Sequence, residues 1–254
     1  MRVRVQDQRL FATLLVAIIA FAWLSLWVWG QSPYGRYLDH QTVDDIVTED
    51  LALLAVFVAG WTVMVFAVML PTSLPLIFLF RRMTRERPAH VWLMTLLITG
   101  YIGIWAVFGI LVHAGDLALH QAVERIAWVD TNLWVIGAAV LALAGVYQFT
   151  ALKYHCLDKC RSRMMFIASH WTGKHEWRQS FRLGINHGLF CLGCCWSLML
   201  LMFVVGAGSI RWMLLLGLVI AVEKNLPWGK RIGKPLGTVL LLTSLGTIVT
   251  SLAL

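Results

Sequence analysis

The sequence predicts an all-α, polytopic transmembrane helix bundle of about seven spans, with its amino terminus in the cytoplasm. Three observations carry this expectation. The first is composition: 254 residues, 59% apolar and only 13% charged, with a mean hydropathy of +0.76. That is the profile of a multi-pass membrane protein. The second is pattern, because the apolar residues fall in runs of crossing length divided by short polar segments. The third is charge. Eighteen of the 21 Lys and Arg lie in the amino terminus and the second, fourth and sixth connections, and three lie in the first, third and fifth. Basic connections stay inside, so the amino terminus is cytoplasmic and the carboxyl terminus external. No hydrophilic stretch is long enough to fold alone, so residues 1–254 form a single transmembrane domain. The net charge of +8 is read as a topology signal and not as a nucleic-acid footprint.

The expected spans follow in order. Residues 10–30 form the first, behind the basic segment of Arg2, Arg4 and Arg9. The run is longer than a signal-peptide core and reads as an uncleaved anchor, and Trp23, Trp27 and Trp29 mark an interfacial belt at its far end. An acidic connection follows, with Asp39, Asp44, Asp45, Glu49 and Asp50 against Arg36. Residues 51–80 form the second span. It carries Pro71 and Pro75, which should kink or break the helix and free backbone carbonyls. The third span is 91–113 and the fourth 132–152. Residues 153–182 are the longest polar stretch, with seven bases and also His155, Cys156, Cys160, His170 and His175. The fifth span is 183–206. A turn at 207–209 leads to a short sixth, 212–222, which spans or re-enters, and 236–254 is the last.

The fifth span holds the chemistry. His187-Gly-Leu-Phe-Cys191-Leu-Gly-Cys194-Cys195-Trp196 places a histidine and three of the five cysteines inside an apolar run. At about 100° per residue, the three cysteines fall roughly 40°, −20° and 80° around the helix from His187, so all four share one face. Imidazole in hydrocarbon needs a partner, and a thiolate–imidazole cluster suits Cu(I) or Zn(II). A lone cysteine would read as a small packing group, but three within five residues do not. The inferred topology puts every thiol between the midplane and the cytosol, where thiols stay reduced.

Further donors join this core. Cys156 and Cys160, four residues apart, form a pair at the cytosolic rim. Met64 and Met69 in the second span are soft thioethers, expected to approach the fifth span, and Glu223 lies at the cytosolic end of the sixth beside Lys224. The candidate metal ligands are therefore His187, Cys191, Cys194, Cys195, Cys156, Cys160, Met64, Met69 and Glu223, with copper preferred to zinc.

These segments resemble a bacterial family of predicted metal-binding integral membrane proteins, a domain of unknown function with a CxGCCW segment. The resemblance runs from about Gly60 to Pro227. It rests on Trp61-Thr-Val-Met64-Val-Phe-Ala67-Val-Met69-Leu-Pro71, on Ala144-Gly145-Val-Tyr147-Gln148 with Leu152-Lys153 and Cys156-Leu-Asp-Lys-Cys160-Arg161-Ser162, on the segment from His187 to Trp196, and on Glu223-Lys224 with Pro227. Val68 departs from the pattern, since the family often has a second consecutive methionine there. The resemblance implies the fold and a shared metal site.

The expected function is an integral protein of the inner (cytoplasmic) membrane that binds or hands over copper, or zinc, through the intramembrane His/Cys cluster. Its partners would be the lipid bilayer and a metal donor or acceptor protein or larger membrane complex, with no nucleic acid. Two alternatives compete: an accessory structural subunit of a membrane complex, and a quinone-linked thiol–disulfide oxidoreductase using the Cys191-Leu-Gly-Cys194 pair. The working side of such oxidoreductases opposes the second. No P-loop, GxGxxG, HExxH or GxSxG motif is present, so nucleotide-binding and hydrolase readings have no support, and the chain reads more readily as a metal-handling protein than as an enzyme.

Overall fold

The computed structural model describes residues 2–31, 51–123, 125, 128, 132, 134–206 and 209–253. The described elements are helices: α1 (Arg2–Gln31), α2 (Leu51–Thr84), α3 (His90–Val123), α4 (Trp134–Tyr147), α5 (Ala151–Arg161), α6 (Arg163–His170), α7 (Glu176–Gly206) and α8 (Ile210–Asn225), then a 3₁₀ turn (Gly229–Ile232) and α9 (Gly233–Leu252). The acidic connection from Arg36 to Asp50, with Glu124, Asp130 and the turn at 207–208, lies outside the described residues.

Among the described residues, five segments are long and apolar enough to cross a membrane: Leu10–Gln31, Leu54–Thr84, His90–Val123, Glu176–Phe203 and Gly229–Leu252. The α4–α5 pair, bent by 64°, makes a sixth if counted as one broken span. Helix α8 has 16 residues, short of the length a perpendicular crossing needs.

The expected break in the second span does not occur. Helix α2 runs unbroken through Pro71 and Pro75. The prolines withhold two N–H donors from this turn, and side-chain hydroxyls gather there. Thr72 Oγ1 donates to the Met69 carbonyl at 2.8 Å, and Tyr101 on α3 donates to the same carbonyl at 3.3 Å. These bonds brace the turn from the side; the carbonyls that the prolines leave without an N–H are those of Ala67 and Pro71.

Helix α7 lies at the centre of the packing. Helix α3 runs along it, α4 and α5 lean on it, and α2 packs between α1, α3 and α8. The α3–α7 approach is close because α7 is bare at Gly184 and Gly188. A Cβ on Gly184 would strike the Leu97 carbonyl oxygen, and one on Gly188 would lie 2.9 Å from Ile104 Cβ. Two glycines four apart let helix backbones approach in this way. The Trp61 indole of α2 is buried and donates to the Trp105 carbonyl of α3 at 2.9 Å, tying the second helix to the third. At the far edge, Ser244 of α9 donates to the Ala138 carbonyl of α4 at 2.8 Å.

The bend after α4 positions the cysteines of the long polar stretch. The chain leaves the helix at Gln148–Thr150, and Thr150, in extended conformation, caps α5 by accepting from the Lys153 N–H at 3.3 Å. What reads in sequence as a polar connection is thus two short helices. Helix α5 turns back against α7, with Cys156 and Cys160 four residues apart and both buried.

Candidate metal centre

The donors of α7 share a face on that helix but meet different neighbours. Cys191 is fully buried. Its sulfur accepts from Lys224 Nζ of α8 at 2.8 Å and lies 3.1 Å from the Tyr101 hydroxyl of α3. Cys194 points toward α5, with its Sγ 4.0 Å from Cys160 Sγ. Cys195 points toward α2, with its Sγ 3.7 Å from Met69 Sδ. The divergence follows from helix geometry, since adjacent residues project about 100° apart. Both thiols donate to the Cys191 carbonyl, at 3.1 Å from Cys194 and 2.9 Å from Cys195. Five sulfurs from three helices, those of Met69, Cys160, Cys191, Cys194 and Cys195, therefore converge in one buried region.

The other expected donors stand differently. His187 is buried, and its Nε2 meets Ser73 Oγ of α2 at 3.2 Å. Its ring stacks on Tyr101 with centroids 5.3 Å apart, and its Nδ1 is buried without a hydrogen-bond partner. Met64 is buried in the same core as the cysteines, five residues before Met69 and so on another face of α2. Cys156 packs over Gly193: a Cβ there would lie 2.5 Å from Cys156 Sγ. Glu223 serves a separate polar cluster. It pairs with the fully buried Lys153 at 2.7 Å, and Lys153 also donates to Gln148. Arg161 donates to the Glu223 and Pro227 carbonyls, and Arg163 donates to Asn225 Oδ1 at 2.6 Å. This second cluster fixes α5 against the end of α8. All five cysteines are free thiols.

Sequence reasoning missed Lys224, Tyr101, Ser73 and Thr72. From the sequence Lys224 stands only as the neighbour of Glu223, yet Nζ reaches Cys191, Met69 Sδ at 3.8 Å and Thr72 Oγ1 at 3.4 Å. A tyrosine in the middle of an apolar helix was a usable signal for a polar neighbour, because its hydroxyl needs a partner.

Chemically, thiol and thioether donors suit Cu(I). Two sulfurs on one ion at about 2.3 Å can be at most about 4.6 Å apart. The Cys160–Cys194 separation of 4.0 Å and the Cys195–Met69 separation of 3.7 Å both fall within that limit. Among the described residues, no three of His, Cys, Asp and Glu are grouped as a ready-made cage. The reason is visible in the contacts: His187 is turned to Ser73, Cys191 is held by Lys224, and Cys194 and Cys195 face opposite neighbours.

The fold and this region define a class: an all-helical protein, several of whose helices could cross a membrane, with soft donors gathered in its interior. Within that class, the chain belongs to the PpoB2 family, described as copper chaperone, whose family model matches residues 58–247, about three quarters of its length. The match supports the metal-related family expected from the sequence and a copper-related role. Neither the curated proteins nor the solved structures contain a match.

Proposed function

We propose that this chain is a multi-pass protein of the inner membrane that takes up Cu(I) as cargo on the buried sulfurs and hands it to a partner protein. The observation that carries the reading is the convergence of Met69, Cys160, Cys191, Cys194 and Cys195 from α2, α5 and α7, in a chain whose family is described as copper chaperone. Cys160 and Cys194 form one end of the donor set and Cys195 and Met69 the other, with Cys191 between them. Softness selects copper over zinc: a thioether among thiolates suits Cu(I), whereas Zn(II) favours thiolate and imidazole in tetrahedral sets. His187 Nδ1 is the nitrogen in reserve. Glu223 is assigned to positioning α5 and not to the metal.

Membrane residence is supported by the apolar helices and by their outward surfaces, where large apolar residues such as Phe21, Leu218 and Val249 are exposed. The single-domain, seven-span arrangement with an internal amino terminus is retained, with α4–α5 as a bent fourth span and α8 as a short sixth. The dithiol oxidoreductase reading ranks below it, because the Met69 thioether beside Cys195 adds a soft metal donor for which dithiol chemistry has no use. Anaerobic loading of the detergent-purified, reduced protein with Cu(I) tests the proposal. Stoichiometric copper that survives a desalting column, and is abolished by prior alkylation with N-ethylmaleimide, is expected. Copper no higher than in a detergent blank would overturn it.

A further inference from the structure

Lys224 stands out as a buried ammonium without a carboxylate. It is 5% exposed, and the adjacent Glu223 is committed to Lys153. The partners of Nζ are the Cys191 sulfur at 2.8 Å, the Thr72 hydroxyl at 3.4 Å and the Met69 thioether at 3.8 Å. An ammonium has three donor protons and no acceptor capacity, and here all three directions end on groups of one pocket. Two of those groups are soft donors. A buried charge is costly unless it is paired, so a pocket that holds an ammonium against sulfur is organised around one positive charge.

From this geometry, and resting on the copper reading above, we propose that Lys224 is a built-in surrogate for the cargo. Its ammonium occupies the place of a monovalent cation between Cys191 and Met69, and Cu(I) must displace it to bind. The four-carbon lysine stem is flexible, so when the metal arrives the N–H···S bond to Cys191 is exchanged for a Cu–S bond, while Nζ keeps the Thr72 hydroxyl as its partner. When the metal leaves, the ammonium returns and the sulfurs are not left with an uncompensated charge. Lys224 is thus a positioning and release residue. It keeps affinity below what the sulfurs alone would give, as a chaperone that must surrender its ion requires.

Replacing Lys224 with a neutral residue removes the competitor. Lys224→Leu and Lys224→Ala should bind Cu(I) about 10- to 100-fold tighter than wild type in a competition titration against bathocuproine disulfonate, the range associated with one charge-assisted hydrogen bond. They should also release the ion to excess chelator more slowly. Lys224→Arg keeps the charge and should stay near wild type. A ligand-scaffolding role for Lys224 predicts the opposite, with weaker binding in both neutral variants, and that result overturns the proposal. If the neutral variants do not fold, the wild-type protein still decides. Labelled with [15N]lysine, its Lys224 Nζ resonance, assigned by its absence in Lys224→Arg, should shift on Cu(I) loading. An unchanged resonance overturns the proposal. A wild-type protein that binds no copper would instead remove the reading on which the proposal rests.

Discussion

Gly193 tests how closely α5 must approach α7. A Cβ at this position would sit 2.5 Å from Cys156 Sγ and 3.3 Å from Cys156 Cβ. In Gly193→Ala, α5 must retreat by about 1 Å to restore an ordinary contact, or Cys156 must leave its rotamer. Overpacking of this kind costs about 1–3 kcal/mol. Alanine in place of a mid-helix glycine returns about 1 kcal/mol of helix propensity. The net expectation is a destabilisation of about 0–2 kcal/mol, or a melting shift of up to about 8 °C for a chain of this size. The same retreat would widen the 4.0 Å Cys160–Cys194 separation beyond the roughly 4.6 Å that one ion can bridge. Copper affinity should therefore fall although no donor has been touched. Removing the obstructing sulfur should reverse both effects, so Gly193→Ala with Cys156→Ala should recover wild-type melting and binding. The assay is thermal unfolding in detergent together with chelator competition on the four proteins of this cycle. A Gly193→Ala protein that binds copper normally, or a binding defect that Cys156→Ala does not relieve, would refute the reasoning.

Other outcomes follow from the same contacts. Gly184→Ala faces the Leu97 carbonyl oxygen, which cannot rotate away, so it should be more damaging than Gly193→Ala in the same melting assay. Glu223→Gln leaves the Lys153 charge buried without its partner and should cost about 3–5 kcal/mol, whereas Lys153→Met with Glu223→Leu should recover most of it. Equal losses in the single and double variants would count against that account. Met69→Leu should weaken Cu(I) binding and Met64→Leu should not, because only Met69 reaches a thiol. The reverse order in chelator competition would remove Met69 from the donor set.

The helical nature of the chain was legible from its apolar runs, and α7 from the fifth of them. The bend at Gln148–Thr150 was not, because Lys153, Asp158, Lys159 and Arg161 give α5 the polarity of a connection while its buried face packs on α7. The two prolines of α2 suggested a broken helix. Local rules cannot see that α2 is packed against α1, α3 and α8, which hold it as one helix. Within the centre, one-face periodicity drew attention to His187, Cys191, Cys194 and Cys195, all of which are buried. What the period could not tell is that α7 is surrounded, so residues on one broad face reach four different helices, α3 among them through Tyr101. Cys194 finds α5, Cys195 and His187 find α2, and Cys191 finds α8. The role of Lys224 was not legible, because nothing local to residue 224 shows that Nζ reaches across to Cys191 and Met69.

The central claim is that the sulfurs of α2, α5 and α7 form one Cu(I) site, and copper K-edge absorption on the loaded protein tests it most directly. The account predicts Cu(I) in a first shell made of sulfur at about 2.2–2.3 Å, and loss of bound copper when Cys160 and Cys194 are both replaced by serine. A shell dominated by oxygen or nitrogen, or copper retained undiminished in the Cys160→Ser, Cys194→Ser protein, would contradict it.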